Sequence, residues 1–247
     1  MAKLTRIPIP SWAYEVALGI CLARQKRYRH QFITKKLKDI AGDDEMLKKD
    51  IEGVIGYVGD ISACLWFGLD PKEELRSMIV DTELLAHRDE YDVLFRGWRV
   101  DVKTEIYPAE KFERAITKEL GVKETYGCRL ININHFLENS GSVDKYVFAT
   151  IDDPHPQKAR YWIPIGWVDK SDVTRICPEP KSYTPSGARL WTKAYIIPNL
   201  ELRDLQELTS LEPKPGVALL TRSSTDEKID SLGRDKYNAL LGKVGLS

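Results

Sequence analysis

Residues 91–104 read YDVLFRGWRVDVKT, two short apolar runs joined by a turn at Arg96–Gly97–Trp98 and carrying Asp92, Asp101 and Lys103. Side chains on a strand alternate between faces, so Asp101 and Lys103 point one way while Val100 and Val102 point the other. The turn folds YDVLF back and carries Asp92 alongside. Two carboxylates brought close together repel unless a cation sits between them. A hard divalent ion satisfies both, and Mg²⁺ takes one or two carboxylates together with waters and phosphate oxygens. A lysine beside such an ion can orient or deprotonate a water, or stabilise charge on a phosphate. These are the parts needed for metal-assisted phosphodiester hydrolysis.

An acid two places before a lysine is common in a chain this charged, and Glu179/Lys181, Glu212/Lys214 and Asp226/Lys228 are further cases. Those three lie in segments that read as loop or tail. Only Asp101–Val102–Lys103 sits in an alternating apolar run with a second acid on a neighbouring strand. The alternative is a surface hairpin whose polar face simply meets water, as antiparallel sheets often allow.

Upstream, IEGVIGYVGDISACLWFG (51–68) reads as part of an apolar helix from about Met46 to Phe67, ended by Gly68. Gly56 and Gly59 lie inside it, and a glycine inside a helix costs about 1 kcal/mol against alanine. Close approach of the helix to a sheet would account for them, and would carry Asp60 toward the hairpin patch.

A helix of the form G-x-x-G-acid, an Asp near the start of a strand, then D-V-K after a short turn resembles the PD-(D/E)XK nuclease superfamily, the restriction-endonuclease-like proteins. The resemblance covers roughly residues 50–168. It implies an α/β fold of mixed α+β type, with a central mixed sheet flanked by helices, and a DNA-cutting activity, an endonuclease, dependent on Mg²⁺ with Mn²⁺ as substitute. By the same resemblance Asp92 matches the first motif aspartate, and Asp101 and Lys103 match the acid and lysine of the second. The Val102 carbonyl would be a third protein ligand to the metal. Asp60 matches the helix-borne acid, usually a glutamate. Being one methylene shorter it would reach the metal through a water, or Glu52, two turns earlier, would serve instead. Restriction-like enzymes often pair to cut both strands, so a homodimer fits the resemblance, although no interface is legible.

The remaining elements frame this core. Pro8 and Pro10 precede a helix with Ser11 as N-cap and Val16, Ala17, Ile20, Cys21 and Ala23 on its apolar face. AEKFERAITKELG (109–121) reads as an amphipathic helix stopped by Gly121. CRLININ (128–134), KYVFATI (145–151), RYWIPIGWV (160–168) and WTKAYIIP (191–198) read as strands. Residues 169–190 read as loop, NLELRDLQEL (199–208) as a short helix and EPKPG (212–216) as a linker. The organisation expected is a basic helical region over 1–45, the nuclease-like core over 46–210, and a linker with a small helix or tail over 211–247.

Lys+Arg and Asp+Glu both total 37 among 247 residues, so any preference for a polyanion must come from local charge. Between Glu15 and Asp39 there is no acid, while Arg24, Lys26, Arg27, Arg29, Lys35 and Lys36 are candidate phosphate contacts. The alternative is a solvated cationic helix face. Trp98 at the turn could stack on a base, but covering core is the commoner use of a large aromatic, and the same holds for Trp162, Trp167 and Trp191. Tyr107 and Lys111, just after the hairpin, could touch a nucleic-acid backbone. Cys21, Cys64, Cys128 and Cys177 are widely spaced, as are the four histidines, which points away from disulfides and zinc and toward a cytoplasmic location. No apolar run is long enough to cross a bilayer, and no secretory signal is legible, so no membrane partner is expected.

Overall fold

In a computed structural model, the structure describes residues 5–25, 51–75, 92–138, 143–215 and 234–243. The chain is α/β. Strands β1 (Ile7–Pro8), β2 (Val93–Phe95), β3 (Trp98–Glu105), β5 (Lys145–Ile151) and β6 (Tyr161–Asp169) form a mixed sheet in the order β1-β6-β5-β3-β2. β2 pairs antiparallel with β3, β3 parallel with β5, and β1 antiparallel with β6. A second sheet takes β4 (Cys128–Asn132), β8 (Arg189–Pro198) and β7 (Lys181–Tyr183) in the order β4-β8-β7. The helices are α1 (Ala13–Gln25), α2 (Ile51–Trp66), α3 (Ala109–Ile116), α4 (Ile133–Glu138), α5 (Lys170–Ile176), α6 (Leu205–Thr209) and α7 (Arg234–Lys243). Among the described residues no helix is long and apolar enough to cross a membrane.

The chain divides into two compact units. One comprises Met1–Thr5, Glu90–Thr150 and Ile163–Lys214; the other Arg6–Asp89, Ile151–Trp162 and Pro215–Ser247. In the first, Tyr146, Phe148, Ile163, Ile165, Ile131, Ile197 and Leu120 lie in one buried core. Every residue of β5 is buried, which is why KYVFATI shows no polar alternation: a strand covered on both faces reads as a continuous apolar run. Lys145, at its start, is only 3% exposed. Its ammonium lies 2.5 Å from Asp169 Oδ1, over the rings of Trp98 at 4.1 Å and Trp167 at 4.7 Å, so it is buried with both a counter-ion and π-faces.

In the second unit α1 and α2 pack together, and Val16, Ala17, Ile20 and Cys21 on α1 and Val54, Ile55, Val58 and Ile61 on α2 are all buried. A Cβ added at Gly56 would meet nothing within 4 Å, so close approach is not the reason for that glycine, and nothing else in the structure explains it. Gly68, at φ +72°, does end the helical segment, in the left-handed region that favours glycine.

Several boundaries differ from expectation. α3 stops at Ile116 rather than running to Gly121. Lys118 adopts φ +60°, Glu119 N–H bonds the Arg114 carbonyl at 2.8 Å and Lys118 N–H the Ala115 carbonyl at 3.4 Å, the paired bonds of a Schellman motif. The Lys118 ammonium donates to the Leu202 carbonyl at 3.1 Å, a tie that glycine could not make. β4 ends at Asn132, whose Oδ1 accepts the Asn134 N–H at 2.8 Å and starts α4 where a strand was expected to continue. Residues 169–190 hold α5 and β7. NLELRDLQEL splits into a 3₁₀ turn (Asn199–Glu201) and α6, which Asp204 caps by accepting the Gln206 N–H at 3.0 Å. Residues 211–214, expected as linker, are tied to the β2–β3 hairpin: Arg96 Nη1 donates to the Leu211 carbonyl at 2.8 Å, Trp98 Nε1 to the Glu212 carbonyl at 3.0 Å, and Lys214 N–H to the Arg96 carbonyl at 2.9 Å.

Candidate active site

The hairpin is closed by Arg96 and Gly97 at φ +50° and +80°. Positive φ at both central residues gives the turn whose twist matches the flanking strands. It sets the register Phe95↔Trp98, Leu94↔Arg99, Val93↔Val100. Asp92 lies one residue before β2, not within it. Its N–H donates to the Val100 carbonyl at 3.0 Å, and its Oδ2 accepts the Val102 N–H at 2.6 Å. The carboxylate thus takes over as acceptor where strand pairing ends, and it rests against the peptide joining Asp101 to Val102. A strand residue's N–H and C=O leave on the same side, so the Val102 carbonyl faces the edge that Asp92 closes.

On β3, Val100 and Val102 are buried with the apolar set, as alternation requires. Asp101 is 3% exposed and forms an ion pair with Lys103, whose side chain is 28% exposed. Among the described residues, the Asp101 Oδ1 in that pair accepts no hydrogen bond of normal geometry. Asp101 stands opposite Tyr146 in the parallel register. Burial, and then the Asp101 charge, push the Tyr146 phenol well up, so it stays neutral. Burial lowers the Lys170 ammonium at the start of α5 from its usual range, and Asp101 acts against that drop, which places a second cation within the field of this carboxylate.

Glu105 continues the face of Asp101 and Lys103. Its Oε2 accepts the Tyr107 hydroxyl at 3.0 Å and Arg129 Nη1 at 3.2 Å. Arg129 is fully buried, its guanidinium 5.0 Å from the centre of the Tyr107 ring, and among the described residues its Nε and Nη2 have no hydrogen-bond partner. Burial, then the Glu105 charge, drive the Tyr107 phenol well above its usual range. Lys170 and Arg129 were missed from sequence. The first lies in a stretch read as loop, and the second lies in a strand read as apolar, where only its long cationic side chain was a signal.

The hairpin therefore brings Asp92, Asp101, Val102 and Lys103 together within one unit. Asp60 belongs to the other unit, on α2, where it is 9% exposed, and Glu52 lies on the same helix. Among the described residues no group of three or more His, Cys, Asp or Glu side chains is placed to hold a metal ion. Lys26, Arg27, Arg29, Lys35 and Lys36 lie outside the described residues, and Arg24 lies on α1 with its side chain outside them. Tyr107 is 3% exposed, hence not placed for backbone contact, and Lys111 lies 5.9 Å from the Tyr126 ring centre. The Trp98 ring centre lies 4.1 Å from the Lys145 ammonium and 5.4 Å from that of Lys214, and Trp162 and Trp167 are buried as expected, but Trp191 is 98% exposed. Compared with known proteins, the chain matches no family model, no curated protein and no solved structure.

Proposed function

We propose that the chain is a metal-dependent nuclease hydrolysing DNA phosphodiester bonds, an endonuclease working at the β2–β3 hairpin. The observation that carries this reading is the Asp92 carboxylate seated 2.6 Å from the Val102 N–H, next to buried Asp101 and its Lys103 partner. The donors fit a hard cation. A carboxylate oxygen held in the interior with an ammonium but no normal hydrogen bond lacks part of its usual solvation, and carboxylate and carbonyl oxygens are what Mg²⁺ and Mn²⁺ prefer. Asp92, Asp101 and the Val102 carbonyl would hold Mg²⁺, with Mn²⁺ as substitute. When bound, the ion supplies stabilisation of negative charge developing on the phosphoryl oxygens.

The chain's own groups do the rest. Asp92 fixes the edge of β3 by holding Val102 N–H. Lys103, partly exposed and held as an ammonium by Asp101, donates to the attacking water to orient it and stabilises negative charge developing on the phosphate. Lys170 adds its positive charge to the field around Asp101. Incubating the protein with plasmid and linear DNA in Mg²⁺, Mn²⁺ or EDTA, beside Lys103→Ala, tests the proposal. Metal-dependent cutting that falls about 10²- to 10⁴-fold in the variant supports it; equal residual cutting by both proteins overturns it.

A second reading, a nucleic-acid-binding or assembly protein with the same fold and no chemistry, draws on a specific feature of the hairpin. One oxygen of Asp92 and one of Asp101 already have partners inside the chain, as they would in a purely structural turn.

A further inference from the structure

Residues 145–150 of β5 run parallel to β3 in the same unit, so each residue of the candidate site's strand has a fixed neighbour. Asp101 stands opposite Tyr146, Lys103 opposite Phe148 and Glu105 opposite Thr150. Alternation along each strand sets these six residues on one side of the sheet. On β5 the row is closed to water, with Tyr146, Phe148 and Thr150 each 0% exposed. Phe148 suits such a place, whereas Tyr146 carries a hydroxyl into the same core.

A buried tyrosine ordinarily finds a partner for its O–H, because a donor kept from water without one is costly. Tyr107 does so: 3% exposed, it donates to Glu105 Oε2 at 3.0 Å. Among the described residues the Tyr146 hydroxyl has no hydrogen-bond partner. Across from it, Asp101 is 3% exposed, and its Oδ1, paired with Lys103, is an acceptor with lone-pair capacity to spare. Burial and the Asp101 charge keep the phenol protonated, so its O–H remains a donor. A phenol hydroxyl stands further from its backbone than a carboxylate does, so on paired strands the two groups are offset. One water spans that offset: it accepts from Tyr146 and donates to Asp101, as waters do at buried polar groups.

We propose that Tyr146 is a positioning residue for Asp101, its hydroxyl holding the carboxylate through one bridging water in the orientation that takes a divalent cation. The proposal rests on the metal site of the nuclease reading above, but its readout is binding of the metal alone. Carboxylates that ligate metals are themselves held by hydrogen bonds, and those supports matter to affinity nearly as much as the ligands. Full-length, metal-free protein is titrated calorimetrically with Mn²⁺, beside Tyr146→Phe and Phe148→Leu. Tyr146→Phe keeps the ring and the core it fills and removes only the hydroxyl; it weakens Mn²⁺ binding about 10- to 100-fold. Phe148→Leu loosens the same core one step along the row without removing a donor; it lowers the thermal midpoint and leaves Mn²⁺ affinity near native.

Equal Mn²⁺ affinity in the native chain and Tyr146→Phe overturns the proposal. So does an equal loss in Tyr146→Phe and Phe148→Leu, which would assign the effect to packing. A Tyr146→Phe chain that fails to fold shows a hydroxyl needed for structure, and overturns it too. Metal-dependent plasmid cutting with a Tyr146-independent Mn²⁺ affinity sinks only the positioning role. Tyr146-dependent Mn²⁺ binding without any cutting sinks only the nuclease, and no Mn²⁺ binding by the native chain sinks both.

Discussion

At the scale of single residues, the account turns on what each charged group of the hairpin has for a partner. Asp101 is buried and only the Lys103 side of their ion pair is partly open to water, so removing the ammonium leaves a carboxylate with reduced solvation. Lys103→Ala should therefore lower stability in metal-free buffer by about 1–3 kcal/mol, less than for a fully buried pair because water reaches the vacated position. Urea denaturation measures this, and a midpoint equal to that of the native chain would show that Asp101 is solvated without Lys103. The alternation that placed Asp101 and Lys103 on one face was legible because period 2 is built into any strand. The partner of Glu105 was not, since nothing local to CRLININ says that Arg129 points inward to meet it.

Elements set these residues in register. Gly97, at φ +80°, and Arg96, at φ +50°, close the two-residue turn, and Lys214 and Leu211 hold the Arg96 backbone and guanidinium from outside. Gly97→Ala forces a Cβ into the left-handed region and should cost about 1–2 kcal/mol. It should also lower cutting more than stability alone accounts for, because the turn register is what seats Asp92 on Val102. Stability by urea and initial rates on plasmid, taken under conditions where the variant is folded, check this, and a full native rate would separate the turn from the site. The strands β5, β6 and β8 were readable from apolar runs bounded by turn residues. α5 and β7 were not, because a short helix and a three-residue strand fall below the length at which periodicity speaks. The early end of α3 is hidden for another reason: a non-glycine residue, Lys118, takes the left-handed position and is held by its tie to Leu202.

Across the molecule, distant segments meet where sequence offers no local signal. Lys214 and Arg99 converge on Asp144, at 2.7 Å for the lysine. Burial alone would raise the Asp144 carboxyl, but the hydrogen bonds from Lys214 and from the Arg99 backbone and side chain hold it below the usual carboxylate range. A folded-state value below the unfolded one, about 3.9, means stabilisation that is full above the unfolded value and lost as pH falls through the folded one. Lys214→Met should lower the thermal midpoint by about 1–3 °C at pH 7, the modest size expected of a partly exposed pair, with the difference closing as pH falls below about 4. A gap that stays constant down to pH 2 would assign the effect to lost packing over Trp98 instead. The α/β class was readable in the order of helices and strands, whereas the mixed sheet was expected only from the family resemblance. The tie of residues 211–214 to the hairpin was not, because EPKPG carries only turn-forming and charged residues.

Calorimetric titration of the metal-free protein with Mn²⁺, beside Asp92→Asn and Asp101→Asn, addresses the hairpin most directly. Asparagine at 92 keeps an oxygen for the Val102 N–H, so the fold is preserved while the charge is removed. The account predicts saturable binding by the native chain that each substitution weakens at least about tenfold, a difference of about 1.4 kcal/mol. Undiminished Mn²⁺ binding by both variants, or none by the native chain, would contradict it.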